Sequence, residues 1–323
     1  MTAFLHSLIR GKRHSRPEES SPLPRVGIAL SSGGAKGLAH IGVIQVLEEN
    51  GISVDAIAGT SMGAYVGGLW ASGLSGLKLE QLARDMDSKR KLWSLVDPLF
   101  PPRRGFIGGK KIERRLRASL GKRTFYNLPT PFYAVATELD TLTRAIFHKG
   151  DVVSAILASL AIPGIVHPVL RDGIEYVDGG LCDPLPTTLL REIVGVDKVI
   201  AVNVLPKAVQ LKRSGRHSDR GSLWHRINQQ INYFAPGNLL DILRSTPMAS
   251  QLRIVGRSAR HADILIDAVS PEIHWHDYNN FETYIRVGRE AAEEVLPELK
   301  NLLLPEPEQP PLNRAEPQPV LCI

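Results

Sequence analysis

The chain has 323 residues, of which 43% are hydrophobic and 22% are charged. This composition is that of a globular protein, and it excludes both a small disulfide-stapled scaffold and a wholly disordered chain. The two cysteines, Cys182 and Cys322, are too few for a multi-cysteine metal cluster and suit a reducing compartment.

The formal net charge of +6 is concentrated in a few stretches. Residues 103–123, 207–226 and 1–25 carry net charges of +8, +5 and +3, which leaves the rest of the chain at −10. An acidic protein with basic patches favours contact with a polyanion, such as an anionic membrane or nucleic acid. No groove-reading or base-stacking module accompanies the charge, so nucleic acid is not expected as a partner.

Two tails are predicted around one domain: residues 1–24 and 303–323 flank a domain at residues 25–302. The first tail has apolar residues before its basic ones, which excludes a secretory signal and leaves an interfacial helix or a frayed tail. The second contains six prolines between Pro305 and Pro319, which is typical of an extended, disordered segment. No apolar stretch is long enough to span a bilayer. These features, with the cysteine usage, indicate a cytoplasmic protein with peripheral contact at the inner face of the membrane.

Short apolar strands alternate with amphipathic helices along the domain. Strands are predicted at Val26–Leu30, Val54–Ala58, Pro131–Thr137, Tyr176–Val177 and Lys198–Val204. Helices are predicted at Leu38–Glu49, Ser61–Ala71, Pro186–Val194 and Tyr284–Leu303. In the first basic stretch, Ile112, Leu116 and Leu120 share one helical face, which favours core packing. The alternation predicts an α/β fold, a three-layer sandwich with a largely parallel central sheet.

The segment Gly59-Thr60-Ser61-Met62-Gly63 is a G-x-S-x-G motif between a predicted strand and a predicted helix. This context is the one that a nucleophile elbow requires. The glycines allow the chain to turn sharply, and the positive end of the helix dipole stabilises a developing alkoxide. Ser61 is therefore the candidate nucleophile.

A glycine-rich loop, Ser32-Gly33-Gly34-Ala35-Lys36-Gly37, follows the first strand and exposes N–H groups at a helix start. A Walker phosphate loop needs Ser or Thr after Lys36, where Gly37 stands. A dinucleotide fingerprint needs glycine in place of Ser32, although Asp55 lies near the distance expected for a ribose contact. An oxyanion hole needs only two N–H donors, and the next strand delivers the candidate serine. The oxyanion hole is favoured, with a plain strand-to-helix turn as the alternative.

A third segment, Tyr176-Val177-Asp178-Gly179-Gly180, places a carboxylate at a strand end before a Gly-Gly turn. By itself it is typical of an ordinary Asp-Gly turn. A serine nucleophile nevertheless needs a base, and no histidine downstream of Ser61 lies at a comparable glycine-flanked strand end. Those histidines are His148, His167, His217, His225, His261, His274 and His276.

The order of these three motifs resembles the patatin-like phospholipase family, especially its bacterial members. The resemblance covers roughly residues 25–302 and includes segments at residues 37–43, 134–139, 158–164, 262–264 and 288–292. It implies Ser61 as nucleophile and Asp178 as its only base, a dyad without histidine.

The resemblance also implies an oxyanion hole at Gly33, Gly34 and Ala35, with the motifs completed by Gly37, Gly59, Gly63, Gly179 and Gly180. Two positions depart from the family pattern. Ser32 stands where the family often has glycine, and Asp183 stands where a small polar residue such as Asn is frequent. The first departure leaves the oxyanion donors less defined, and neither removes a dyad residue.

The expected activity is hydrolysis of carboxylic ester bonds in phospholipids or lysophospholipids through an acyl-enzyme. No calcium-loop or zinc spacing appears, so no cofactor or metal is expected. A lipid-binding or regulatory protein with an idle dyad is one alternative, and a carboxylesterase acting on soluble esters is another.

Transient contact with an anionic membrane surface is also expected. Its sequence signal is a near-helical apolar spacing beside basic residues, formed by Leu223, Trp224, Ile227, Ile231 and Phe234. A helix that faces the core beside a solvated basic loop explains this pattern equally well.

Overall fold

The structure, a computed structural model, describes residues 23–85, 96–206, 239–269 and 278–304. The predicted N-terminal helix or tail, the proline-rich segment from Pro305 onward and the apolar pattern at residues 223–234 lie outside the described residues. The division of the chain into one domain and two tails therefore stays a prediction.

In the described part of the chain, eight strands form one sheet in the order β5-β6-β3-β2-β1-β7-β8, with β4 paired to β3. The strands are β1 Val26–Leu30, β2 Ala56–Thr60, β3 Phe132–Glu138, β4 Arg144–Phe147, β5 Val169–Arg171, β6 Ile174–Asp178, β7 Lys198–Asn203 and β8 Ile264–Asp267. The run from β3 through β2, β1 and β7 to β8 is parallel. Strands β4, β5 and β6 pair in antiparallel fashion. The predicted α/β fold with a largely parallel sheet is confirmed.

Helices cover both faces of the sheet. They are α1 Ala39–Glu49, α2 Met62–Ala71, α3 Gly76–Arg84, α4 Lys110–Leu120, α5 Val152–Leu160, α6 Leu239–Ser258, α7 Phe281–Glu294 and α8 Leu296–Leu302. Among these residues, no helix combines the length and the apolar character needed to cross a membrane.

The alternation of side chains along each strand builds two cores, one on each face. Bulky residues such as Ile28, Leu30 and Ile57 pack on the face that carries α1, α2, α4, α5 and α7. Smaller residues such as Ala29 and Ala58 pack on the other face, against Leu185, Leu189, Leu190 and Val255. Because both faces are covered, β1 and the middle parts of β2 and β7 are apolar instead of alternating with polar residues. This is the three-layer sandwich that the sequence predicts.

Helices α1 and α7 approach each other unusually closely. A Cβ atom on Gly42 would lie 1.9 Å from the carbonyl oxygen of Ile285, and one on Gly288 would lie 1.9 Å from the carbonyl oxygen of Ala39. Only glycine fits at these two positions, so the crossing depends on a backbone-to-backbone contact. Since α1 follows the glycine-rich loop directly, this contact holds the helix that begins at the candidate site.

Several predicted boundaries differ from the observed ones. The predicted helix Tyr284–Leu303 is two helices, α7 and α8, because Pro297 has no N–H group to continue a helix and fits only its first turn. The predicted helix Pro186–Val194 contains a π-helical stretch at Leu189–Val194. The amphipathic pattern of the first basic stretch is confirmed as core packing, since Leu116 and Leu120 are buried in α4.

The close crossing of α1 and α7 predicts that Gly42→Ala lowers the free energy of unfolding by about 1–3 kcal/mol or more, because the added methyl group overlaps a carbonyl oxygen. Gly256→Ala in α6 is the matched control, because a Cβ atom there meets nothing within 4 Å. We expect that variant to be neutral or more stable by up to about 1 kcal/mol. Urea denaturation of both variants measures the difference, and equal effects would contradict the assigned contact.

Candidate active site

Ser61 occupies a sharp turn between β2 and α2. It is one of three non-glycine residues of the described chain with a positive φ, at φ 55° and ψ −119°. A non-glycine residue in such a conformation costs about 1–3 kcal/mol, so the surrounding structure has to impose it. Ser61 is only 4% exposed. This is the geometry of a nucleophile elbow, as the G-x-S-x-G motif predicts.

The two motif glycines are required by close backbone contacts around this turn. A Cβ atom on Gly59 would lie 2.4 Å from the carbonyl oxygen of Gly63. A Cβ atom on Gly63 would lie 2.2 Å from the carbonyl oxygen of Leu30, at the end of β1. The backbone on the two sides of the elbow is therefore in close contact, and the elbow also contacts β1. Neither glycine position has room for a side chain.

Asp178 ends β6 and forms a hydrogen bond with Ser61. The Oγ–H of Ser61 donates to Oδ2 of Asp178 at 2.5 Å, and the N–H of Gly180 donates to Oδ1 at 2.7 Å. A Cβ atom on Gly179 would lie 2.2 Å from the carbonyl oxygen of Val135. In the D-G-G motif, one glycine thus permits close approach to β3 and the other supplies a donor to the carboxylate.

The sheet register brings Ser61 and Asp178 together. Thr60 pairs with Val135 on β3, and Asp178 pairs with the next residue of β3, Ala136. The N–H of Asp178 also donates to the carbonyl oxygen of Ala161 at 2.9 Å. Backbone hydrogen bonds therefore position both side chains.

Burial sets the acidity of Asp178, which is 7% exposed. Removal from water raises its pKa from 3.8 to about 6, although the hydrogen bonds from Ser61 and Gly180 act in the opposite direction. A carboxylate with a raised pKa is a stronger base than a solvated one, while at neutral pH it is still mostly ionised. The pair can therefore transfer a proton from the serine hydroxyl to the carboxylate.

The glycine-rich loop lies against the elbow. A Cβ atom on Gly37 would lie 2.4 Å from Cγ of Met62, and one on Gly33 would lie 2.4 Å from Cγ2 of Val204. Residues Gly34–Leu38 form a short 3₁₀ helix that leads into α1. The leading N–H groups of a helix have no acceptor within it, so those of Gly34 and Ala35 are available to a ligand.

His40, which the sequence analysis left out, supports this loop. Its Nε2–H donates to the carbonyl oxygen of Ser31 at 2.9 Å, since a carbonyl can only accept. Burial lowers the pKa of His40 to about 4, so the ring is neutral at physiological pH. Its sequence signal is a lone histidine in an apolar helix, which equally fits ordinary packing.

The hydroxyl of Ser61 bonds to Asp178 and to no histidine of the described chain. His148, His167 and His261 are described, whereas His217, His225, His274 and His276 lie outside the described residues.

Asp183, which departs from the family pattern, forms an ion pair in the structure. Asp183 is buried, and its Oδ2 accepts from Nη1 of Arg144 at 2.7 Å. Burial raises the pKa of Asp183, and the guanidinium of Arg144 acts in the opposite direction. The carbonyl oxygen of Asp183 also accepts from Oγ1 of Thr60, beside the elbow, at 2.8 Å. The acidic residue is thus matched by an arginine on β4.

Ser159 is a site residue that motif analysis missed. Its Oγ accepts from the N–H of Ser61 at 2.8 Å and donates to the carbonyl oxygen of Val135 at 2.6 Å. It is fully buried in α5. One hydroxyl therefore links the strained residue of the elbow to the strand that positions Asp178. The segment at residues 158–164 signalled this position only through its resemblance to the family.

The fold and the site define an α/β protein with a serine elbow hydrogen-bonded to a buried aspartate. A family model described as patatin-like phospholipase matches residues 28–191, just over half of the chain, and the chain belongs to that family.

The relatives that this chain matches are longer than the chain itself. An uncharacterised NTE family protein of Mycobacterium tuberculosis is 43% identical over 188 residues, which cover 57% of this chain and 50% of the relative. The lysophospholipase nte1 of Emericella nidulans is 28% identical over 293 residues, covering 88% of this chain and 19% of the relative. The chain thus spans about half the length of the mycobacterial relative. Among solved structures, VipD from Legionella pneumophila aligns over 86% of this chain and 68% of its own, with 14% identity and a TM-score of 0.46.

The position of Ser159 predicts that Ser159→Ala lowers the free energy of unfolding by about 1–3 kcal/mol, because the N–H of Ser61 loses its acceptor in a buried place. Ser154→Ala, on the same helix, is the control: its half-buried Oγ donates to the carbonyl oxygen of Asp151 at 3.2 Å and bonds to nothing in the elbow. Chemical denaturation compares the two. A Ser159 variant as stable as the Ser154 variant would contradict the role of this hydroxyl.

Proposed function

We propose that the protein is a serine acyl hydrolase that cleaves carboxylic ester bonds of phospholipids or lysophospholipids. The observation that carries the proposal is the 2.5 Å hydrogen bond from Ser61 Oγ to Asp178 Oδ2 inside a strained elbow. Membership of the patatin-like phospholipase family supports it. The name of the Emericella nidulans relative, lysophospholipase, supports lysophospholipids as one substrate class.

The reaction begins when Asp178 accepts the proton of the Ser61 hydroxyl. The Oγ atom attacks the ester carbonyl carbon, and the carbonyl oxygen becomes an oxyanion. Collapse of this intermediate breaks the bond to the alcohol, which takes the proton from Asp178 and leaves an acyl-serine. Asp178 then accepts a proton from water, whose oxygen attacks the acyl carbon. The fatty acid leaves, and the proton returns to Ser61.

The oxyanion would be held by the N–H groups of Gly33, Gly34 and Ala35. Such donors stabilise charge that develops in the transition state, and each contributes about 3–4 kcal/mol in well-studied hydrolases.

Ser32 adds a second argument for this loop. Its buried Oγ has no hydrogen-bond partner within the described ranges, and buried polar groups are rarely left unpaired. A substrate oxygen would satisfy it.

Removal of either dyad group should abolish hydrolysis. We expect Ser61→Ala and Asp178→Asn each to lower kcat/KM by about a thousandfold or more, since the nucleophile and its base act as one unit. The measurement is release of fatty acid from lysophospholipid micelles, with a short-chain soluble ester in parallel. Asp172→Asn, an exposed aspartate on the same hairpin, is the matched control and should retain activity.

Stability shows whether the Asp178→Asn protein is folded. The pKa of Asp178 is raised above its unfolded value, so ionisation of this carboxyl destabilises the fold as pH rises from about 4 to about 6. Asp178→Asn removes that cost and should be at least as stable as the parent at neutral pH. Turnover that persists in this folded variant would refute the dyad.

The same experiments separate the alternative functions. If a serine-reactive phosphonate fails to label Ser61 and no fatty acid appears, the protein is a lipid-binding protein with an idle dyad. If activity does not rise when the substrate is presented in micelles or vesicles, the protein is an esterase of soluble esters.

The raised pKa of Asp178 predicts the pH dependence of catalysis. The base has to be ionised, so kcat/KM should be constant above the pKa of about 6 and fall about tenfold per pH unit below it. A solvated aspartate would hold activity down to about pH 4. A stopped-flow or pH-stat profile with the soluble ester distinguishes the two. A plateau that extends to pH 4 would contradict the burial argument.

A further inference from the structure

A short hairpin at residues 97–109, here called the 97–109 hairpin, stands out from the surface. Two backbone hydrogen bonds join its arms. The N–H of Leu99 donates to the carbonyl oxygen of Phe106 at 2.9 Å, and the N–H of Gly108 donates to the carbonyl oxygen of Asp97 at 3.0 Å. Every residue from 98 to 104 is exposed. Three prolines lie in this run, and proline restricts the backbone to few conformations. The tip is therefore preformed, which reduces the entropy lost on binding.

The hairpin lies at the same end of the sheet as Ser61. Nη1 and Nη2 of Arg104 both bond to the carboxylate of Glu175, at 2.6 and 2.5 Å. Glu175 is three residues before Asp178 on β6, a strand distance of about 10 Å. The N–H of Phe106 also donates to the carbonyl oxygen of Ile165 at 2.9 Å, in the turn that follows α5. Whatever binds the hairpin thus lies at the end of the sheet where β2 and β6 bring Ser61 and Asp178 together.

The tip combines an exposed aromatic ring with cations. Phe100 is 97% exposed, and the neighbouring Leu99 is exposed too, so the tip presents an apolar surface to solvent. A groove beside it is lined by Leu99, Phe100, Pro101, Arg103, Arg104 and His167. Apolar residues next to arginines fit a phospholipid interface, where acyl chains lie below phosphates.

The charges around the hairpin favour an anionic partner. The carboxylate of Asp97 accepts from the N–H groups of Gly109 and Lys110 at 3.0 Å each, and Glu175 is held by Arg104. Arg103 is exposed, and no carboxylate of the described ranges pairs with it. The carboxylates of Asp97 and Glu175 are therefore engaged, and the exposed Asp140 interacts electrostatically with Arg104, whereas Arg103 beside Phe100 faces solvent.

We propose that the 97–109 hairpin docks the protein on an anionic phospholipid surface, with Phe100 inserted at the interface and Arg103 against the lipid phosphates. Docking there would bring the membrane to the end of the sheet where Ser61 follows β2. The inference deepens the proposed function and rests on it, because the bound surface would supply the lipid ester.

The test measures vesicle binding by the full chain carrying Ser61→Ala, so that no lipid is hydrolysed. Vesicles of phosphatidylcholine alone are compared with equal mixtures of phosphatidylcholine and phosphatidylglycerol by co-sedimentation. We expect binding to require phosphatidylglycerol and to weaken with added salt. Phe100→Ser with Arg103→Glu should lower the partition coefficient about tenfold or more, because an inserted ring and an attractive charge are both lost.

The matched control is Tyr126→Ser with Lys122→Glu. Tyr126 is 98% exposed, and it precedes the amino end of β3, away from Ser61. Both pairs of substitutions remove one exposed aromatic ring and change the net charge equally, so a difference between them reports position. Thermal unfolding confirms that each variant is folded.

Three results would overturn the inference: no binding by the parent, equal binding by the parent and the hairpin variant, or equal losses in the hairpin and control variants. The first would point to a protein partner for the tip. None depends on catalysis, because the protein tested lacks the Ser61 hydroxyl. A failure of the proposed function would instead appear as absent fatty acid release by the wild-type chain.

Discussion

The hydrogen-bond register of β3 determines the geometry of the site. Thr60 pairs with Val135 and Asp178 pairs with Ala136, so β2 and β6 end beside each other on adjacent residues of one strand. The carbonyl oxygen of Val135 also accepts from Ser159, which in turn accepts from the N–H of Ser61. Because these contacts are backbone hydrogen bonds or short buried links, the Ser61–Asp178 distance is fixed by the sheet itself.

This arrangement places two energetically unfavourable features at one end of the sheet, where β2 and β6 meet. Ser61 has a positive φ, and the burial of Asp178 raises its pKa. Both features oppose folding at neutral pH and both suit proton transfer. The two-sided core and the glycine-mediated crossing of α1 and α7 provide the stabilisation that offsets them. The proposed chemistry thus takes place where a strained residue and a buried carboxylate meet.

Much of the fold could be predicted from local patterns. The bounds of β1, α1 and α2 agree with the predicted ones to within one residue, because strong apolar runs and glycine motifs mark their ends. Strands β4, β5 and β8 were missed because they are short and only partly buried, so their apolar pattern is weak. The C-terminal helix was predicted without its break because an apolar periodicity continues past Pro297.

Neighbouring residues are enough to predict the turn at Ser61, the glycines around it and the alternation of strands and helices, since each is a local feature of the chain. The choice of Asp178 as the partner of Ser61 needed family resemblance, because its D-G-G segment alone is typical of an ordinary turn. The 2.5 Å bond, the raised pKa of Asp178 and the part played by Ser159 follow from the three-dimensional packing of the chain. These depend on register and burial between residues 117 and 98 positions apart in the chain, which no local pattern encodes.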